Sequence, residues 1–167
     1  MNEIRSIALF APALAVLLCG CGYSTGTGLP QRGIRTVHLQ AVENDTYRQR
    51  LEAELGAAVS RELAVSSDLL PGSATAADAI LTLRITSERE RTLVSGDRTT
   101  VPVQEGAQEV AVHIQLTDRK TGRKLVDRTV IDRAEFRSPL GEDLSSARSE
   151  LVEDLARKIV LALETPF

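Results

Sequence analysis

Three groups of side chains in this sequence have the types and spacing for chemistry. Cys21 closes Leu18-Cys19-Gly20-Cys21 at the end of an apolar run from Ile7 to Leu18. His38 and His113 each sit between apolar neighbours in an alternating segment. Arg89, Arg91 and Arg98 form a short basic series. The apolar run is about a dozen residues long, short of the ~20 that a permanent bilayer-spanning helix needs. It fits the core of a secretory signal with a small-residue cleavage site. Two imidazoles can begin a zinc site, but no cysteine and no carboxylate stands at a spacing that completes one. The histidines therefore read as a pair on the solvent face, and no metal or cofactor is expected. A guanidinium fork suits phosphate bidentately. Against that, Glu88-Arg89-Glu90-Arg91 alternates charge at every step, which reads first as a solvated strand end that blunts edge pairing. A glycine-rich phosphate loop and His-Glu-x-x-His are both missing from the sequence, and no paired carboxylates suggest acid–base work.

The segment Leu18-x-Gly20-Cys21 resembles the lipobox of bacterial lipoproteins. In that family the cysteine thiol takes a diacylglyceryl group and the signal is cut just before it. The resemblance implies a signal peptide over 1–20 and a lipidated first residue at Cys21. Residues 21–33 then read as a flexible tether, with glycine and proline frequent after Cys21. Stretched, it reaches ~40 Å. Residues 34–167 are left as one domain.

Composition narrows the classes. The chain has 167 residues, a formal net charge of -3, 43% hydrophobic and 26% charged residues. That is ordinary globular composition, enough for one core without staples. No net basic field recruits nucleic acid. Aromatic residues are 3% and tryptophan is absent, so stacking platforms for single strands or sugars are scarce. The only two cysteines are Cys19 and Cys21, which leaves the domain neither a disulfide nor a catalytic thiol.

The elements that must position these residues follow from periodicity. Ile34–Val42 alternates as a strand, with Val37 and Leu39 on one face and His38 and Gln40 on the other. Asn44-Asp45-Thr46 reads as a cluster of helix caps. The helix behind it carries Tyr47, Leu51, Leu55, Ala58, Val59 and Leu63 as one stripe. Ala79, Leu81, Leu83 and Ile85 begin a second strand whose far end is charged. Val110, Val112, Ile114 and Leu116 give a third, and Asp118 to Gly122 a hairpin turn. A fourth strand runs from Leu125 to Ile131 or on to Phe136, with mixed phase. Leu144, Ala147, Leu151, Leu155, Ile159 and Leu163 define a second helix. The order βαβββα predicts an α+β two-layer sandwich, about four strands in a mixed sheet packed by two helices. The sheet face away from the helices, carrying Ile80, Thr82, Arg84, Thr86, Ala111, His113 and Gln115, reads equally as a partner surface or as a wet one.

Taken in order, several segments resemble the lipopolysaccharide-assembly lipoprotein family LptE: Cys21-Gly22-Tyr23, Ile34 to Leu39, Glu43 to Thr46, Ala77-Asp78-Ala79-Ile80-Leu81, Leu116 to Leu125, and Asp154 to Val160. The resemblance implies an α/β sandwich held by its lipid at the inner leaflet of the outer membrane. It implies a place in the lumen of the β-barrel LptD and a role in delivering lipopolysaccharide, with no catalysis and no cofactor. Basic residues near the loop between the second and third strands are linked to lipopolysaccharide in that family; here Arg89, Arg91 and Arg98 occupy the region. The competing reading is another lipoprotein adaptor, such as an activator of a cell-wall synthase.

Overall fold

The computed structural model describes residues 28–47, 50–94, 105–137 and 144–164. Alternating apolar residues build one mixed sheet. Its strands are β1 (Thr36–Leu39), β2 (Glu43–Asn44), β3 (Leu70–Pro71), β4 (Ala79–Val94), β5 (Glu105–Asp118) and β6 (Lys124–Arg137). Two helices, α1 (Leu51–Ser66) and α2 (Leu144–Glu164), cover one face of it. The α+β class stands, and the sheet has two strands more than expected, β2 and β3, each of two residues. The sheet order is β3-β1-β4-β5-β6, with β2 also on the β1 side of β4. β1 and β4 are parallel, Val37 opposite Ala79 and Leu39 opposite Leu81, so α1 lies in the crossover between them. β4, β5 and β6 form an antiparallel meander. Pro71 lies in the edge strand β3, where a missing N–H costs no ladder bond.

The core sits between the sheet and the helices. Ala79, Leu81, Leu83 and Ile85 of β4 are buried there with Val112, Ile114 and Leu116 of β5. Leu51, Leu55, Ala58, Val59 and Leu63 face them from α1; Leu151, Leu155 and Ile159 do so from α2. Each fully buried leucine or isoleucine is worth about 1.5–3 kcal/mol. The helices run side by side in the same direction: Arg148 reaches Glu54 at 2.9 Å, and Ala156 and Arg157 share a cleft with Ala58, Arg61 and Glu62. Leu29 is also in the core, just before the 3₁₀ turn Pro30–Arg32. Among the described residues, packing thus begins at Leu29, ahead of Ile34.

The start of α1 differs from the expected cap. Asn44 belongs to β2, and its Oδ1 accepts from the Thr46 N–H at 2.9 Å and the Thr46 hydroxyl at 2.7 Å. Its Nδ2 donates to Glu52 Oε2 at 3.0 Å, and Glu52 Oε1 accepts the Arg50 N–H at 3.2 Å. The side chain that should cap the helix is spent on a turn. The helix therefore opens at Leu51, through Arg50 at φ +92°. Tyr47 falls outside the stripe and is fully exposed.

Candidate interaction site on the open sheet face

One irregularity decides what the open face displays. Up to Ile85, odd-numbered residues of β4 point to the helices. The register then steps from Ile85 opposite Val112 to Ser87 opposite Ala111, leaving Thr86 as an extra residue. Such a bulge reverses the phase of everything beyond it. Glu88 now stands opposite buried Val110, on the helix side. Arg89 and Arg91 stand opposite Glu109 and Ala107, on the open face. The charges that alternate in sequence fall on opposite sides of the sheet, and the bulge decides which sign takes which side.

Beneath them, Gln108 is buried and donates through Nε2 to Glu88 Oε1 at 2.7 Å. On the open face, Arg133 pairs with Glu135, and Arg137 with Glu105 at 3.4 Å. Arg89 and Arg91 are exposed and form no salt bridge among the described residues. The two guanidiniums lie two residues apart on one face, ~7 Å along the strand. Arg98, the third of the series, lies outside the described residues, as does Cys21.

The histidines share the open face but do not meet. His38 pairs with Ile80 and His113 with Arg84, which sets them ~13 Å apart along β4, on strands either side of it. His38 Nδ1 lies 3.1 Å from the Gly72 carbonyl. His113 Nε2 lies 2.7 Å from Asp127 Oδ1, and Lys124 Nζ holds Asp127 Oδ2 at 2.7 Å. The Lys124 ammonium, then His113, hold the Asp127 carboxyl below the usual range. No group of three or more potential metal ligands occurs among the described residues. One cleft, about 190 Å³, is lined by Val37, His38, Leu63, Leu69, Leu70 and Gly72 among others. That is smaller than a typical small-molecule pocket. Sequence reasoning passed over one catalytic spacing: Gly22-Tyr23-Ser24-Thr25-Gly26 has the pattern of a serine nucleophile elbow. It precedes Gly28, outside the described residues, and the pattern carries chemistry only on a strand–turn–helix.

The segment Ala77-Asp78 turns out to be a clasp. Asp78 Oδ2 accepts the N–H groups of Arg35 and Thr36, each at 3.1 Å, and the Thr36 hydroxyl at 2.9 Å. The Arg35 N–H first, then the two Thr36 donors, keep this carboxyl below its ordinary pKa. From the other side, Arg119 Nε donates to the Ala77 carbonyl at 2.6 Å, and the Arg119 N–H to the Asp78 carbonyl at 2.9 Å. The clasp fixes β1 against β4 and the β5–β6 hairpin beneath it.

The lipopolysaccharide-assembly family model LptE matches residues 34–163, nearly the whole packed body. The chain belongs to the LptE family. No curated protein matches it. Among solved structures, the hypothetical protein CT253 of Chlamydia trachomatis superposes with a TM-score of 0.57 at 15% identity, over 78% of this chain and 96% of that one. A putative lipoprotein of Caulobacter crescentus gives 0.53 at 15% identity over 83% and 96%. The PelC dodecamer subunit of Paraburkholderia phytofirmans gives 0.53 at 16% over 78% and 89%. At such identities these neighbours speak to the fold alone. No helix of the described residues is long and apolar enough to cross a membrane.

Proposed function

We propose that this LptE-family chain is an outer-membrane lipoprotein, acylated at Cys21, that occupies the lumen of an LptD-type β-barrel and supports passage of lipopolysaccharide. The family match across the packed body carries the reading. Residues 1–20 act as a lipoprotein signal and are removed; the residues from Cys21 to Gly28 link the lipid to the body. One acyl chain gives only marginal membrane binding, and two or more anchor stably. The anchor concentrates the body near its barrel. The chain performs no catalysis and uses no cofactor. A mostly polar open face suits a plug within a wet barrel, and Arg89, Arg91 and Arg98 face the phosphates of the lipid. Detergent extraction and pull-down of the tagged chain should recover a large β-barrel. Cys21→Ala should leave an unprocessed precursor that captures none. Enrichment of penicillin-binding proteins instead would favour the cell-wall-synthase reading, and a chain recovered alone and unacylated would overturn the assignment.

A further inference from the structure

One end of the sheet gathers the turns through which the chain enters it. The β5–β6 hairpin lies there, tied to the start of β4 by the Arg119 N–H on the Asp78 carbonyl at 2.9 Å. β1 begins beside it, with Thr36 held by Asp78. The 3₁₀ turn Pro30–Arg32 is there too: Arg32 lines an open cleft of about 340 Å³ with Arg123, Lys124, Leu125 and Asp127. The chain is fixed in the core at Leu29, eight residues after Cys21, and eight extended residues span at most ~29 Å. A lipid on Cys21 therefore keeps this end within that distance of the bilayer. Leu93, fourteen residues along β4 from Ala79, lies ~45 Å away along the strand.

The charges of this end fit what it would face. Asp118 Oδ1 accepts the Lys120 and Thr121 N–H groups at 2.8 and 3.2 Å. Asp78 Oδ2 is taken by Arg35 and Thr36, and Asp127 by His113 and Lys124. The cations are less engaged. Arg32, Arg35 and Arg123 are exposed and form no salt bridge among the described residues. Lys120 is 72% exposed, with an Asp78 oxygen 3.9 Å away. A chain of net charge -3 thus sets these cations at the end nearest its anchor. Each basic side chain at an anionic lipid surface strengthens binding about fivefold. At the β3 side of the same end, Leu70, opposite Thr36, and Val65, in the last turn of α1, are both exposed. Basic side chains beside exposed apolar ones suit a surface that lies on headgroups.

We propose that the hairpin end docks on anionic phospholipid of the leaflet that holds the Cys21 lipid, with Arg32 and Arg123 meeting headgroup phosphates at their shared cleft. The inference rests on the acylation proposed above and not on the barrel. Once Cys19 has left with the signal and Cys21 is acylated, the chain has no free thiol, so one introduced cysteine can carry a fluorophore. Gln31→Cys places it beside Arg32. The acylated protein is reconstituted in vesicles that contain a headgroup-borne quencher. The Gln31→Cys label should be strongly quenched when phosphatidylglycerol is present. It should be quenched much less in phosphatidylcholine alone, or at ~1 M salt, where the Debye length is about 3 Å. A Leu93→Cys label should stay bright in both. Arg32→Glu with Arg123→Glu should lower the docked-to-free ratio at least about tenfold, while the protein still floats with the vesicles. Both positions are exposed, so the melting curve of that variant should stay unchanged. Quenching at the Gln31→Cys label that is absent, or indifferent to lipid charge or to the double variant, would overturn the docking alone. A chain that carries no acyl group and floats with neither vesicle would overturn anchor and docking together.

Discussion

A left-handed backbone at an arginine is a cost that glycine would not bear. Arg50 holds φ +92° because its N–H must reach Glu52 Oε1 while Asn44 holds the other carboxylate oxygen. The conformation costs a side-chain-bearing residue about 1–2 kcal/mol, partly offset by glycine's larger unfolded-state entropy. Arg50→Gly should therefore raise the melting temperature by about 2–4 °C; a lower value would mean the arginine side chain itself stabilises the turn. Asn44 and Thr46 were legible as helix-start residues by type, since short polar side chains bond nearby backbone in either a cap or a turn. Which of the two they would form depended on Glu52, six residues past Thr46, and no local rule reaches that far. Tyr47 was misplaced for the same reason: its spacing from Leu51 fits a helix that has not yet begun. Cys21 and Arg98 lie outside the described residues, so their roles rest on the sequence and on the proposal above.

At the scale of elements, periodicity reads well where a strand obeys it. Ala79 to Ile85, Val110 to Leu116 and the stripes of both helices are buried as their spacing demands. The bulge at Thr86 was not legible, because Thr86 and Ser87 are small, polar and acceptable on either face. Its effect is large: strict alternation would carry Arg89 and Arg91 under the helices and turn Glu88 outward. Deleting Thr86 imposes that arrangement. Hydrogen exchange should then show lost protection over 105–110 and 88–92, with 79–83 still protected against β5. Equal loss everywhere would show that the far half of the hairpin supports the near half. Further along, the phase of β6 was obscured by a second irregularity at Leu125, between Lys124 opposite Thr117 and Val126 opposite Leu116. Beyond it the strand carries Arg128 and Asp132 on the helix side, so hydrophobicity alone could not mark its inner face. Gly106 shows the opposite case, a residue whose reason appears only in three dimensions. The Phe136 ring lies over it on the neighbouring strand, where any Cβ would collide.

At the scale of the whole molecule, four carboxyls among the described residues are held below their ordinary pKa by fold-specific donors. Asp78 and Asp127 are described above. The Thr121 hydroxyl and the N–H groups of Lys120 and Thr121 do the same for Asp118 in the hairpin turn. The Glu52 backbone N–H, Asn44 and the Arg50 N–H do it for Glu52. A carboxyl depressed by folding stabilises fully above its unfolded value, about 4, and loses that contribution as pH falls through the folded value. The melting temperature should thus be level above about pH 6 and drop progressively between about pH 5 and 2, and Asp78→Asn should flatten part of the slope. A drop that begins near neutrality would point to other groups. The layer order was legible from the succession of periods, but the docking of β1 was not, because parallel neighbours carry no turn signal between them. That parallel docking sets a sequence of events during synthesis. β4, β5 and β6 can zip through a short turn and local pairing, whereas Thr36 must wait for Asp78, forty-two residues later, and closing so long a loop is slow. The first strand to emerge is therefore the last to find its neighbour, and for that interval its apolar side stands open to any chaperone that accompanies the nascent protein.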